Sequence, residues 1–414
     1  MTQDRPSASV REWSIGARGR DTGAQDDDAL PVPAGVGQTP GQVAGEWRTD
    51  NPDPRPAAGG EEPAGGRQLA GIGSLVLESG DSLPGVVIAY ETWGRPNAAR
   101  DNAVLICHAL TGDAHVVGPA GPGQPTPGWW DGLIGPGRSV DPADWYVVAA
   151  NVLGGCQGST GPSSPAPDGK AWGSRFPAIT VRDQVAAEAA LSTRLGIDRW
   201  AAVIGGSMGG MRALEWLLLY PERVATSVVL ASTGYATAEQ IAWCAPQLAA
   251  IEEDPAWQGG DYYGTGTAPT SGLGIARQIA HITYRSEYEL ASRFGRKPQG
   301  DGRFAVESYL DHHATKLVNR FDAGSYAVLT RAMNSHDIGR DRGGLRQALE
   351  NLTGRLVIAA VDSDRLYPAR LSAELVEARP DAGPLHLIKS PYGHDGFLIE
   401  LEQVGALIAD TLGS

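Results

Sequence analysis

The run Trp200–Trp216 reads as a short apolar strand, a serine flanked by glycines, and then a helix. Turning from strand to helix through one residue strains that residue's backbone and brings the helix close to the strand, so its neighbours must be small. Gly205 and Gly209 meet that need around Ser207. The pattern is a nucleophile elbow, and it sets the Ser207 hydroxyl at a helix N-terminus, where free N–H groups stabilise an oxyanion. A bare G-x-S-x-G run also occurs by chance in glycine-rich loops, so the flanking strand and helix carry the specificity.

An elbow of this kind needs a sheet behind it. Short apolar runs recur at Ser74–Leu77, Val86–Tyr90, Ala103–Cys107, Tyr146–Val152, Ala201–Ile204, Ser227–Leu230, Leu356–Val361 and Leu385–Ile388. Several are apolar without alternation, as strands covered on both faces are, and helical segments such as Arg182–Leu195 and Arg212–Tyr220 separate the later ones. These features predict an α/β fold with a mostly parallel central sheet covered by helices. Between residues 237 and 349 the strand signal stops and Ala238–Glu252, Leu273–Tyr284 and Val306–Val318 read as helices, which predicts a helical cap inserted before the penultimate strand. The predicted organisation is a disordered tail over 1–68, the first part of the core over 69–236, the cap over 237–349 and the second part of the core over 350–414. The tail expectation rests on Gly, Pro, Ala, Asp and Glu without periodicity, with Trp13 and Trp47 as possible docking points.

Composition narrows the function classes. A net charge of −14 and the scarcity of Lys/Arg runs argue against nucleic acid or an anionic membrane surface as partner. The three cysteines, Cys107, Cys156 and Cys244, make a disulfide framework unexpected and point to a reducing compartment, read as the cytoplasm. No secretory leader pattern and no apolar stretch of about 20 residues is visible. His312 and His313 are adjacent, but nothing nearby has zinc spacing, so no metal is expected.

A serine nucleophile needs a general base, usually His, and a carboxylate to hold the base. In the elbow fold the chain order is Ser, then Asp or Glu, then His, with the partners just after strand ends. The run Leu356–Val361 is followed by Asp362 and Asp364, and Leu385–Ile388 by His394. Spacing leaves both aspartates open, with a slight lean to Asp364. The second oxyanion donor comes from the loop after an early strand. His108–Gly112 follows such a strand, so the Leu110 amide can face the same oxygen as the Met208 amide. Cys107, in an apolar strand, and Cys156, in a glycine-rich loop, are expected to be unreactive.

Taken in order, His108–Asp113, Gly128–Gly132, Asn151–Pro162, Gly205–Gly210, Phe321–Tyr326, Ser335–Asp337, Ser363–Pro368 and Tyr392–Asp395 closely resemble the homoserine O-acetyltransferases of the α/β-hydrolase superfamily, from about Ile72 to the C-terminus. The resemblance implies the α/β-hydrolase fold and a triad of Ser207, Asp364 and His394, with the Leu110 and Met208 amides as the oxyanion hole. It further implies Asp395 as partner of a substrate ammonium, and Arg277 and Tyr284 as partners of its carboxylate. An amino-acid zwitterion needs one fixed anion and one fixed cation, and residues seven apart on a helix share a face. L-Homoserine and acetyl-CoA are the implied substrates, with acetyl-CoA a co-substrate and no permanently bound cofactor, and a homodimer through the cap is the implied assembly. CoA is polyanionic, so a local basic mouth is required, which the sequence does not locate. Rival readings are the same scaffold using succinyl-CoA or serine, a plain esterase or thioesterase, and a catalytically silent binding protein.

Overall fold

The computed structural model describes residues 66–413, apart from 122 and 351. The amino-terminal tail, with Trp13 and Trp47, lies outside the described residues. Eight strands form one sheet: β1 (Gln68–Val76), β2 (Ser82–Trp93), β3 (Ala103–Cys107), β4 (Tyr146–Ala150), β5 (Trp200–Gly206), β6 (Val224–Leu230), β7 (Arg355–Val361) and β8 (His386–Ile388). Their order is β1-β2-β4-β3-β5-β6-β7-β8. β2 pairs antiparallel with both β1 and β4, and every other pairing is parallel. This is the α/β-hydrolase fold expected from the sequence.

Period-two alternation explains why both faces are covered. In β3, whose five residues are all buried, Val104 and Ile106 enter one apolar cluster while Leu105 and Cys107 enter the other. The first cluster packs under the C-terminal helix through Val404, Leu407 and Ile408. The second packs under α1 (Val181–Arg194) and α2 (Met208–Leu219) through Val185, Ala189, Leu214 and Trp216. Each fully buried aliphatic side chain contributes about 1.5–3 kcal/mol relative to exposure, so the sheet is a rigid platform for what sits at its edge.

β1 begins six residues ahead of the predicted Ser74. Its register against β2 shifts between Gly71 and Gly73 and again between Gly73 and Leu75, and such irregularities hide the alternation that marks a strand.

The segment between β6 and β7 holds α3 (Ala238–Glu252), α4 (Thr270–Tyr284), α5 (Glu287–Phe294), α6 (Ala305–Val318), α7 (Ala323–Asn334) and α8 (Leu345–Glu350). α3 starts where a capping box should start it. The Thr237 hydroxyl accepts the Gln240 N–H and the Gln240 side chain accepts the Thr237 N–H. α5, α7 and α8 were not distinguished in the sequence. A third apolar cluster joins these helices to the core, with Leu273, Ala276, Leu317, Tyr326 and Leu329 packed against Leu110, Met208 and Met211.

The sheet order reverses between β3 and β5, because the chain steps outward from β3 to β4 on one side and from β5 to β6 on the other. Open α/β sheets form a crevice at the carboxyl ends of strands that flank such a reversal. The loop after β3 and the elbow after β5 both emerge there.

Candidate active site

Ser207 occupies the one residue between β5 and α2 with φ 58° and ψ −124°, a left-handed conformation that disfavours any side chain. The close approach predicted around it is present. A Cβ on Gly205 would collide with the Gly209 carbonyl, and one on Gly209 with the carbonyl oxygen of Cys107 at the end of β3. The Ser207 N–H donates to the Leu230 carbonyl at 3.0 Å and the Ser207 carbonyl accepts the Ser232 hydroxyl at 2.8 Å. The strained residue is therefore pinned at both ends to β6 and its following loop.

Asp364 and His394 come from the loops after β7 and β8. His394 Nδ1 and Asp364 Oδ2 lie 2.6 Å apart, and both residues are buried. The other carboxylate oxygen of Asp364 accepts the N–H groups of Leu366 and Tyr367, each at 2.8 Å, so the carboxylate is fixed in rotation. Asp362, left open by spacing, faces elsewhere. Its carboxylate accepts the Ser390 N–H at 3.0 Å and pairs with Lys389 at 3.3 Å, tying the end of β7 to that of β8.

The imidazole of His394 lies among aromatic rings, with centroids 5.1 Å from Tyr367, 5.5 Å from Phe397 and 5.8 Å from Tyr284. A Cβ on Gly206 would run into the ring of Phe397, so the elbow and the His394 loop are in packing contact. Ser207 Oγ makes no hydrogen bond among the described residues. In unliganded enzymes the nucleophile–base bond is commonly long and tightens only with substrate. Burial opposes a charged His394, but the negative charge and hydrogen bond of Asp364, with Asp395 adding to them, outweigh it and raise its pKa above the ordinary imidazole value.

Leu110 lies in the turn Ala109–Gly112, closed by a 2.9 Å bond from the Gly112 N–H to the Ala109 carbonyl. Neither the Leu110 N–H nor the Met208 N–H, at the start of α2, has an acceptor among the described residues.

Arg277 and Tyr284 lie on α4 and touch. The guanidinium carbon sits 5.3 Å from the centroid of the Tyr284 ring. Among the described residues no carboxylate pairs with Arg277, and its buried Nε has no partner. Burial pushes the Tyr284 hydroxyl up to about 12, the cation of Arg277 opposing, so it remains a proton donor at neutral pH. Asp395 follows His394 directly but is not unshared, because Arg285 donates to its Oδ2 at 3.1 Å. Arg285 also grips Glu289 with two nitrogens, at 2.9 and 3.1 Å, and stacks over Tyr392. Sequence reasoning missed Arg285 and Phe397, which no motif marks, and gave Tyr367 no role although it lies in the Ser363–Pro368 motif; only the fold brings them to His394 and Asp395.

A cavity of about 30 Å³ opens beside Leu110, Tyr284 and Tyr367 and is walled on the cap side by Trp243, Cys244 and Ala280. No charged side chain lines it. The cysteines do not compete for the nucleophile's role, since burial pushes the Cys156 thiol to about 12 and the Cys244 thiol to about 11.

A family model described as alpha/beta hydrolase fold matches residues 102–401. A homoserine O-acetyltransferase of Thermobifida fusca is 59% identical over 374 residues, covering 88% of this chain and 99% of that protein. One of Mycobacterium leprae is 55% identical over 350 residues, covering 83% and 92%. Among solved structures, homoserine O-acetyltransferase from Bacillus anthracis superposes with a TM-score of 0.78 at 25% identity, over 84% of this chain and 98% of that one. Esterase E22 superposes with a TM-score of 0.77 at 26% identity, over 84% and 99%. Identity of 55–59% over more than four fifths of this chain with enzymes of one name, on a shared fold, places it: the chain belongs to the homoserine O-acetyltransferase family of the α/β-hydrolase superfamily.

Proposed function

We propose that this protein transfers an acetyl group from acetyl-CoA to the hydroxyl of L-homoserine, an activating step of methionine biosynthesis, through an acyl-serine intermediate. His394 Nε2 takes the Ser207 proton as Oγ attacks the thioester carbonyl. The Leu110 and Met208 amides receive the negative charge of the tetrahedral intermediate. The C–S bond then breaks and CoA leaves as the thiol, carrying the proton that His394 returns. The homoserine hydroxyl gives its proton to the same nitrogen, attacks the acyl carbon, and releases Ser207 with its proton restored.

The observation that carries this reading is the pair of charges beside His394. Arg277, without a carboxylate partner and packed on Tyr284, is available to a substrate carboxylate, and Asp395 keeps one oxygen, Oδ1, free of Arg285 for an ammonium. A clamp for both ends of an amino acid has no purpose in a plain esterase. It also explains transfer in place of hydrolysis, because a hydroxyl held at the acyl carbon must outcompete water at ~55 M through its effective molarity.

The test is product analysis with acetyl-CoA or succinyl-CoA and homoserine or serine, on wild type and Arg277→Ala. O-Acetylhomoserine is expected to dominate. Arg277→Ala is expected to raise the KM for homoserine by about 10- to 100-fold, from loss of a charge-assisted hydrogen bond, with hydrolysis of an acetyl ester that lacks the amino acid unchanged. Homoserine turnover unaffected by Arg277→Ala would instead support the esterase reading.

We further propose a cytoplasmic homodimer joined through the cap. No helix among the described residues is long and apolar enough to cross a membrane. Ile241, Ile275, Tyr288 and Phe304, all in the cap segment, are exposed apolar side chains of the kind a partner subunit covers. Light scattering at micromolar concentration is expected to give twice the chain mass; a monomer mass would sink the proposal.

A further inference from the structure

The direction of the Leu110 N–H is not free. A trans peptide unit is rigid, so the Ala109 C=O and the Leu110 N–H point opposite ways, and whatever holds the Ala109 oxygen aims the Leu110 proton. Two donors hold it: the Gly112 N–H at 2.9 Å and the imidazole of His108 through Nδ1 at 2.7 Å. The other ring nitrogen, Nε2, accepts the Val152 N–H at 3.0 Å. A backbone N–H can only donate, so Nε2 carries the lone pair and Nδ1 carries the proton. The contact pattern thus selects one tautomer and uses both ends of the ring.

The surroundings make this arrangement rigid. His108 is 1% exposed, and burial together with the nearby Arg212 cation holds its pKa well below the ordinary imidazole value. A Cβ on Gly112 would stand 2.8 Å from the Cβ of His108, so only glycine closes the turn beside this ring. The His108 carbonyl accepts Arg212 Nη2, and Arg212 Nη1 pairs with Glu188, which also accepts the indole N–H of Trp216 at 2.7 Å. Arg212 and Glu188 are 0% and 2% exposed. On the far side of the turn the Thr111 carbonyl accepts Arg320 Nη1 at 2.8 Å. The carbonyls of His108, Ala109 and Thr111 are thus held by the side chains of Arg212, His108 and Arg320 respectively.

We propose that His108 is a positioning residue of the reaction: its Nδ1–H imidazole, anchored from behind by Arg212, fixes the Ala109–Leu110 peptide so that the Leu110 N–H meets the oxyanion formed on Ser207. The inference rests on the reading of Ser207 as nucleophile with Leu110 in the oxyanion hole. It assigns a role to a histidine that takes no proton from Ser207.

Two variants separate aiming from general structure. His108→Asn keeps a donor near the Nδ1 position and loses the acceptor for Val152, whereas His108→Gln keeps an acceptor toward Val152 and loses the donor to Ala109. Assayed in the full chain for acetyl transfer from acetyl-CoA to homoserine, His108→Gln is expected to lower kcat by about 10- to 100-fold, somewhat less than loss of a whole oxyanion donor, with both KM values within about twofold. His108→Asn is expected to recover most of that loss. Equal losses in the two variants, or an unchanged kcat in His108→Gln, would overturn the proposal. Ring nitrogen-15 shifts of the wild-type histidines provide a readout that needs no variant to fold or turn over. A neutral histidine protonated on Nδ1 that stays neutral as the pH falls through the ordinary imidazole range is expected, and its absence would equally overturn the proposal. A wild-type chain whose Ser207 does not react with a fluorophosphonate would bring down the triad reading and this proposal with it, an outcome the ring shifts distinguish from a wrong assignment of His108.

Discussion

Ser207→Ala is expected to lower kcat by at least about 10⁴-fold while leaving the melting temperature within a few degrees of wild type. The two halves of that expectation have separate causes. The change removes only Oγ, which makes no hydrogen bond among the described residues, whereas the backbone bonds that pin the elbow to Leu230 and Ser232 remain. Alanine also keeps the Cβ that already sits at φ 58°, so no new strain enters. What is lost is the atom that becomes acylated, and the residual rate reflects only bound reactants and the two amides. Free-CoA release and intact-mass analysis after mixing with acetyl-CoA provide the check: wild type gains an acetyl group on the serine, and the variant does not. A loss smaller than tenfold would mean that the nucleophile lies elsewhere.

Asp364→Asn is expected to cost about 10⁴-fold in kcat with little change in either KM. Asp364 faces two demands at once. One oxygen accepts the Leu366 and Tyr367 amides, and the other lies 2.6 Å from His394 Nδ1. An asparagine must turn its oxygen to the two amides, because its NH₂ cannot accept from them. That leaves the NH₂ facing Nδ1, which then has to accept, so the ring proton moves to Nε2 and the base points a proton at Ser207 where a lone pair is needed. Wild-type pH dependence tests the same contact. A general base works when neutral, so kcat/KM falls as pH drops through the pKa of His394, and the raised pKa sets the midpoint of that acid limb above about 6.5. Near-wild-type turnover by Asp364→Asn would hand the acid role to another carboxylate.

Much of this site was legible in the chain because its chemistry is placed by strand ends. All eight apolar runs named in the sequence fall on the eight strands, and the elbow glycines are required by close approaches that any strand–serine–helix turn imposes. The aspartate was harder. Asp362 and Asp364 are two residues apart in a loop, and what distinguishes them is that one meets Ser390 and Lys389 while the other meets His394, a difference of direction that spacing does not encode. α7 escaped notice for a different reason. Ala323–Ala327 and Leu329–Thr330 are buried on every side, so the helix lacks the one-sided stripe by which a helix is read. Arg285 stayed silent, and His108 showed only as the start of a loop and a motif, because their partners, Asp395 and Val152, lie 110 and 44 residues away. The ring of His108 could have been any packed histidine until both of its nitrogens were seen to be engaged.

The proposed triad of Ser207, Asp364 and His394 stands on loops of the sheet, whereas Arg277 and Tyr284 stand on α4, inside a segment inserted between β6 and β7. On the proposed roles, bond-making stands on the sheet loops, and the acceptor's carboxylate is met from the insertion while its ammonium is met by Asp395 beside the base. Descent with modification can rework the insertion, altering which alcohol is admitted or admitting water instead, without disturbing the nucleophile. The solved relatives on this fold include both a homoserine O-acetyltransferase and a protein named as an esterase. On these proposed roles the triad alone does not specify what is acylated, and changes in the inserted helices are expected to alter the choice of acceptor.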